Sequence, residues 1–396
     1  MKVGVLRETR RWDDRRVGIT PATARLITDS YPNIELYVQS SKVRIHPDRE
    51  YSELGISVVD NIDHCDLLIG IKEVDEEELI PGKTYLIFSH VGKQQPYNRN
   101  FFREMVQKKI TLIDYEYLTD KNNNRLVAFG FWAGVVGAYY AFMGIAKKTG
   151  NAELPPPEMC RNLEDLHKKL KTIKIPSLKL LVTGGGRVAS GALEIIRATG
   201  IKEVVPHDFL EMEYDFPVFT RLDPEDYAER KEGKFNRNEF YSDPRSYQST
   251  FQRYLSVTDV FIPCHFWDNR APVFFTKEQV RSADFSISLI ADISCDINGP
   301  VPTTIRTSTI ENPFYDIDPS DLSEKQAFSS PGYITVMAVD NLPTALPLDA
   351  SRTFSDDLYN QVFPYLFGTD DQGIIERGTI LKNGQLTKPF DYLKNF

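Results

Sequence analysis

The chain has 396 residues, more than one hydrophobic core comfortably holds, so two domains of roughly 130 to 200 residues each are expected. Hydrophobic residues at 41% and charged residues at 26% exclude wholesale disorder, collagen and coiled coil. A formal net charge of -9 is a poor background for wrapping a polyanion, so no nucleic-acid partner is expected, although a local basic pocket for a small anion is compatible with it.

The opening VGVL reads as a short buried strand, and the polar ETRRWDDRRVGITP that follows sets its four arginines at or near that strand's end. This charged start lacks the apolar core of a signal peptide, and no apolar run approaches the ~20 residues of a membrane span. The expectation is a soluble, cytoplasmic protein without a membrane partner. TPATARLITDSYP reads as a helix capped by Thr20 with Pro21 in its first turn. ELYVQSS is a strand, EYSELGISVV repeats the change from helix to strand, and DLLIGIKE and KTYLIFSH are apolar runs with polar ends. The helix-like NRNFFREMVQKK then leads to ITLIDYEYL. Strands alternating with helices predict an α/β sheet with helices outside it, whose strand ends are where small ligands bind.

WAGVVGAYYAFMGIAKKTG, residues 132–150, has the composition of a mostly buried helix, and PPP at 155–157 breaks the chain. From Lys179, KLLVTGGGRVASGALEIIRATG is strand, glycine turn and helix, with KEVVPHD as the expected next strand. Residues 211–250 are acidic, aromatic and proline-punctuated, which predicts an excursion or lid outside the core. DVFIPCHF and FSISLIADIS resume the buried-strand pattern, and SDDLYNQVFPYLFG near the end is helical. The four cysteines, Cys65, Cys160, Cys264 and Cys295, form no CxxC and read as buried thiols of a reducing compartment.

The best register of the glycine turn is Gly184-x-Gly186-x-x-Ala189, with Arg187 available to a phosphate. Such a turn lets the backbone approach a pyrophosphate, whose charge the following helix N-terminus stabilises. The strand before it and the helix after it raise this match above a bare glycine pattern. Asp208, at the end of KEVVPHD, is placed to accept both ribose hydroxyls, which predicts NAD over NADP; a helix cap is its alternative role.

In the first half, Lys72 and Glu73 end DLLIGIKE, His90 ends TYLIFSH, Lys93 lies just beyond, and Glu116 follows LIDY. Each alone reads as a surface charge or strand cap. Together, a lysine, a histidine and carboxylates at neighbouring strand ends supply proton transfer to a bound substrate. There is no HExxH, no clustered cysteine, no GxSxG and no GxxxxGK[ST], so metal, hydrolase and ATPase readings lack their anchors.

These segments, with RRVGITP, IGIKE, FSHVGKQQ, LIDYEYL, RLVAFGFWAGVVGA, TGGGRVASGA, ADISCD and AVDNLPTALPLDAS, resemble the lysine-forming saccharopine dehydrogenases from the first strand to about residue 360. They are also similar to the lysine-ketoglutarate reductase portion of bifunctional lysine-degrading enzymes, and more distantly to alanine dehydrogenase and the transhydrogenase nucleotide domains. The resemblance implies two Rossmann-like domains separated by a cofactor and substrate cleft, the first of them discontinuous: 1–130, a dinucleotide-binding domain 131–334, and a segment 335–396 rejoining the first. It implies NAD-dependent, reversible cleavage of saccharopine to lysine and 2-oxoglutarate through an imine. Lys72 is then the base toward the amine and His90 the base toward water, with Glu73 and Glu116 tuning their charge. Arg16 and Arg125 match the family's substrate-binding arginines, with Lys93 a third cation for a three-carboxylate substrate. Pairing of Arg16 with Asp13 or Asp14 on the surface is the alternative for that residue.

Gly184, Gly186, Arg187, Val188 and Asp208 would line the cofactor, and Asp292, in LIADIS, corresponds to an aspartate near the nicotinamide. Ala189 stands in for the fingerprint's third glycine, and Val188 stands where fungal members carry a cysteine, leaving Cys264 without a disulfide partner. The longer, acidic 211–250 segment bears on cofactor choice. An NADPH-dependent reductase or another amino acid dehydrogenase is the enzymatic alternative. A non-enzymatic nucleotide-binding protein would not need both the proton-transfer residues and the cofactor turn. Oligomeric state is left open by the sequence.

Overall fold

The computed structural model describes residues 1–9 and 14–396, which form two compact units, Met1–Phe129 with Pro347–Phe396 and Gly130–Leu346. Among the described residues no helix is long and apolar enough to cross a membrane.

The first unit opens with β1 (Lys2–Val5), α1 (Pro21–Ser30), β2 (Glu35–Gln39), α2 (Asp48–Ser52), β3 (Ser57–Val59), β4 (Leu67–Ile69), β5 (Thr84–Ile87), α3 (Arg99–Gln107) and β6 (Thr111–Asp114). Thr20 caps α1, its hydroxyl accepting from the Thr23 backbone N–H, and Pro21 fills the first turn. The six strands are parallel, and β4 shows why: Leu67, Leu68 and Ile69 are all buried, as strands covered on both faces must be. β1 lies between β2 and β4, so the chain turns to opposite sides of the sheet there.

The second unit begins with α4 (Gly130–Thr149) and α5 (Leu163–Leu170), then β7 (Lys179–Thr183), α6 (Arg187–Ala198), β8 (Lys202–Glu203), α7 (Pro206–Glu211) and β9 (Val218–Leu222). Next come α8 (Pro224–Tyr227), the hairpin of β10 (Ala228–Arg230) and β11 (Tyr247–Ser249) with α9 (Arg237–Ser242) between its strands, then β12 (Val260–Pro263) and α10 (Lys277–Val280). β13 (Leu289–Ala291), β14 (Phe314–Ile317), β15 (Glu324–Lys325) and β16 (Ile334–Met337) complete a sheet ordered β15-β14-β16-β13-β12-β7-β9-β8.

Three sequence expectations change here. The strand expected over KEVVPHD ends at Glu203, because Pro206 starts a helix. Residues 211–250 are not wholly an excursion: β9 lies inside them, pairs in parallel with β7, and buries Val218, Phe219, Thr220 and Leu222. The chain returns to the first unit at Pro347 rather than at 335, because β16 pairs with both β13 and β14.

α4 and α6 meet backbone to backbone. A Cβ on Gly134 would lie 1.9 Å from the Val188 carbonyl oxygen, and one on Gly191 would lie 1.9 Å from that of Phe131. Gly191→Ala is therefore expected to destabilise the protein by about 3 kcal/mol, because the neighbour that must give way is backbone. Urea unfolding of this variant beside Ser190→Ala, an exposed position on the same helix, measures it.

The returning chain forms α11 (Pro347–Asp357), and β17 (Thr379–Lys382) extends the first sheet antiparallel to β6, followed by β18 (Gln385–Leu386). Ser351 and Ser355 of α11 accept the backbone N–H groups of Val17 (3.0 Å) and Thr20 (2.9 Å), which fixes the segment carrying Arg16. Phe354 packs in the same core as Val5, Ile69 and Tyr115.

Candidate functional site

Where neighbouring strands of a parallel sheet lead to opposite sides, the loops at their carboxyl ends diverge and leave a crevice for a ligand. In the first unit that point lies beyond β1 and β4. Glu8 follows β1, and its carboxylate accepts the backbone N–H groups of Ile71 (2.7 Å) and Lys72 (2.9 Å). One side chain thus clamps the backbone that presents half-buried Lys72. Burial pushes the Glu8 carboxyl up to about 7, and Asp14 adds to it, against the two N–H groups and Arg16.

Glu73 pairs with His90 of the next loop, Oε1 to Nδ1, at 2.7 Å. Burial opposes ionisation of Glu73, yet the hydrogen bond and charge of His90, together with a backbone hydrogen bond and the Lys72 charge, hold the carboxyl below its ordinary value. With Nδ1 engaged as donor, Nε2 is the atom through which a neutral ring accepts a proton. His90 has φ 53° and Gln94 φ 52°, so left-handed residues bracket the single turn Val91–Lys93. Such conformations concentrate at sites where geometry is imposed on a side chain.

Lys93 brings Nζ to 3.3 Å and Arg125 brings Nη2 to 2.5 Å of the same Glu116 oxygen. Burial disfavours the charged form of Glu116, but Arg125, Lys93 and His90 together lower its pKa. Both cations are about half exposed while the Glu116 carboxylate they share is buried. Asp114 ties the β5 and β6 ends together, accepting from the Ser89 backbone N–H (3.0 Å), the Ser89 hydroxyl (2.5 Å) and the Glu116 backbone N–H (2.8 Å).

Arg16 departs from the expected surface pair. Its guanidinium donates to Asp14 through Nε (3.0 Å) and Nη2 (2.7 Å), lies over the Phe129 ring at 4.4 Å, and is 2% exposed. Asp13, the other candidate partner, lies outside the described residues. The structure thus gathers Lys72, Glu73, His90, Lys93, Glu116 and Arg125 on the loops after three adjacent strands, with Arg16 buried beneath that loop network through the Asp14 and Glu8 carboxylates.

Glu8 and Asp114 escaped the sequence reading because each acts through backbone or another side chain, whereas Asp14 was expected only as a surface partner of Arg16 and its pair is buried. Glu8 also makes a pH prediction. A carboxyl whose folded pKa lies above its unfolded value favours folding below that unfolded value, and the contribution is lost as pH rises through about 7. Glu8→Gln is expected to flatten that loss, by on the order of 1 to 3 kcal/mol between pH 4.5 and 7.5, in urea titrations across pH.

In the second unit β7 is the turning point, flanked by β9 and β12. Gly184 has φ +98°, and a Cβ there would sit 2.6 Å from the Cys264 carbonyl oxygen, so only glycine fits. Gly185, Gly186 and Arg187 are exposed at the start of α6, with Gly186 at its N-cap. Half-buried Val188 faces the start of α4, its Cγ2 lying 3.4 Å from where a Gly130 Cβ would be. His265 is held against Thr183 (Nδ1 to Oγ1, 3.2 Å), and burial drives its pKa down to about 3, so the ring is neutral.

Two expected cofactor residues are placed otherwise. Asp208 lies within α7, beyond β8, a strand that does not adjoin β7. Asp292 is fully buried and turned into its own loop, accepting from the Ser294 hydroxyl (2.5 Å), the Thr304 hydroxyl (2.6 Å) and the Cys295 backbone N–H (3.1 Å). It is a loop anchor. The residue at the end of the strand adjoining β7 is Asp223, joined to Arg221 by two hydrogen bonds of 2.6 and 3.0 Å. The signal for it was VFTRLD, a short strand ending in an acid, hidden in a stretch read as outside the core.

Comparison with known proteins matches residues 4–136 to the family model "Alanine dehydrogenase/PNT, N-terminal domain". The chain is 27% identical to the alpha-aminoadipic semialdehyde synthase of Arabidopsis thaliana, over 99% of this chain and 41% of that protein. It is 26% identical to the saccharopine dehydrogenase [NAD(+), L-lysine-forming] of Yarrowia lipolytica, over 87% of each. The chain spans under half the length of the synthases it matches. An L-alanine dehydrogenase structure superposes with a TM-score of 0.66 at 14% identity, covering 100% of this chain and 99% of that one, which shows the shared fold. The resemblance read from the motifs is borne out, as is the class of two Rossmann-like α/β units.

Proposed function

We propose that this protein is a nicotinamide-dependent amino acid dehydrogenase that cleaves saccharopine reversibly to L-lysine and 2-oxoglutarate, with NAD as the hydride acceptor. The observation that carries the reading is the array in the first unit: Lys72, the His90–Glu73 pair and the Lys93–Glu116–Arg125 cluster on the loops after β4, β5 and β6. The glycine turn before α6 supplies the place for a pyrophosphate, and Gly184, Gly186 and Arg187 are the residues assigned to it. Asp223 takes the ribose role first given to Asp208, since it ends the strand beside the turn. The similarity to saccharopine dehydrogenase over most of both chains supports the choice of substrate.

A dinucleotide held at the glycine turn by Gly184, Gly186 and Arg187 would supply the acceptor for the hydride of saccharopine's glutamate-side C–H. Lys72, in its neutral form, takes the secondary amine's proton, so that the nitrogen lone pair forms the C=N bond. His90 then removes a proton from water as its oxygen adds to the imine carbon. The carbinolamine collapses: its hydroxyl proton leaves, the C=O of 2-oxoglutarate forms, the C–N bond breaks, and the lysine nitrogen is reprotonated by the acid form of Lys72 or His90. Glu73 stabilises the imidazolium, and Glu116 holds Lys93 and Arg125 where their charges meet substrate carboxylates. Arg16, buried on Asp14, serves the substrate by fixing this loop network.

The reaction in the opposite direction with NADPH is the second reading, favoured by the two guanidiniums of Arg221 and Arg237 near the ribose acid. Assays with purified protein, saccharopine and either NAD or NADP, and lysine with 2-oxoglutarate and either reduced form, separate the two. Absence of turnover with both pairs, despite nucleotide binding, would overturn the substrate assignment.

A further inference from the structure

The role of the acidic 211–250 segment follows from where two of its arginines, Arg221 and Arg237, land. Arg221 lies in β9 in register with Val182 of β7, and Asp223 follows the strand's last residue, Leu222, which is in register with Thr183 and whose carbonyl accepts the Gly184 N–H at 3.1 Å, beside the glycine turn. A Cβ on Gly185 would lie 3.3 Å from Arg221 Nη1 and 3.4 Å from Asp223 Oδ1, so both polar groups border the space above that turn. Arg221 also donates to the Gly184 carbonyl at 3.3 Å. From α9, between the strands of the β10–β11 hairpin, Arg237 reaches Asp223 at 3.6 Å and Glu225 at 2.5 Å. Asp223 is fixed from behind, its backbone N–H donating to Asp226 at 2.9 Å. Its own carboxyl is lowered chiefly by the Arg221 hydrogen bond, so it is anionic at neutral pH.

We propose that Asp223 is a charge latch on cofactor choice: it holds Arg221 and Arg237 to itself and admits an unphosphorylated ribose, and without it the same two arginines form a 2′-phosphate site. The proposal rests on the reading of the glycine turn as a dinucleotide site. A carboxylate accepts the two hydroxyls of a ribose and repels a 2′-phosphate, whereas a guanidinium meets a phosphate through parallel charge-assisted hydrogen bonds. The hairpin's contribution is then Arg237, delivered to the edge of the ribose site by chain outside the sheet.

Binding of NADH and NADPH, followed by nicotinamide fluorescence on the full chain, tests this without needing turnover, and competition by 2′,5′-ADP against 5′-ADP isolates the phosphate. The wild type is expected to prefer NADH. Asp223→Ser is expected to move the NADPH to NADH affinity ratio about 100-fold toward NADPH, and adding Arg221→Ala to remove about tenfold or more of that gain. Asp223→Asn, which keeps the volume, moves the ratio the same way and replaces the serine variant if that one does not fold. A ratio unchanged within about twofold in variants that still bind NADH, or a wild-type preference for NADPH, overturns the latch alone. A wild type that binds neither dinucleotide overturns both the latch and the reading beneath it.

Discussion

Lys72→Met is expected to lower saccharopine oxidation by two to four orders of magnitude while dinucleotide affinity stays within about twofold, because the substitution keeps the stem and removes the proton acceptor. Lys72 sits on backbone clamped by Glu8, so the shorter-range geometry survives the change. His90→Gln is expected to lose a similar factor at a different step. If His90 serves the water that attacks the imine, hydride transfer precedes the step it serves. A rapid-mixing experiment should then show a first-turnover burst of reduced nicotinamide in His90→Gln and none in Lys72→Met. Turnover above about a tenth of the wild-type rate in both variants would remove the assignment.

Arg16→Ala is expected to cost about 3 to 5 kcal/mol of stability, because it strands Asp14 as a buried carboxylate without the guanidinium that neutralises it. Burial works against ionisation of Asp14, yet the charge and hydrogen bonds of Arg16 lower its pKa overall. The pair's stabilisation is therefore present above the ordinary carboxyl value and lost as pH falls through the lower folded value. Replacing both partners, Asp14→Asn with Arg16→Met, is expected to recover most of the loss, since no unpaired charge remains. Urea unfolding of the two single variants and the double closes this cycle. The same proteins separate structure from recognition. If the KM for saccharopine stays raised in the recovered double variant, Arg16 touches substrate; if it returns toward wild type, Arg16 acts only by ordering the loops.

What the sequence made legible was whatever repeats along the chain. Apolar runs ending in charge located β1, β4, β5 and β6, and so Lys72, His90 and Glu116; Thr20 and Pro21 located the start of α1. A glycine turn between strand and helix is a local pattern, and it was found where the structure has it. What the sequence hides is non-local. Asp208 is reached by counting along the chain, which does not reveal that β9 rather than β8 lies beside β7. Asp292 was placed by resemblance at a position whose side chain is turned inward by Ser294 and Thr304. Arg16 is the subtler case: both sequence alternatives leave it at a surface or a ligand, and only its packing over Phe129 and its pair with Asp14 show it buried.

The most direct test of the central claim is the absorbance of reduced nicotinamide when purified protein is given saccharopine with NAD, with alanine and NAD as the control. NAD-dependent reduction with saccharopine is expected, lysine and 2-oxoglutarate appearing in equal amounts, and little with alanine. Protein that binds the dinucleotide yet reduces it with alanine and not with saccharopine would contradict it.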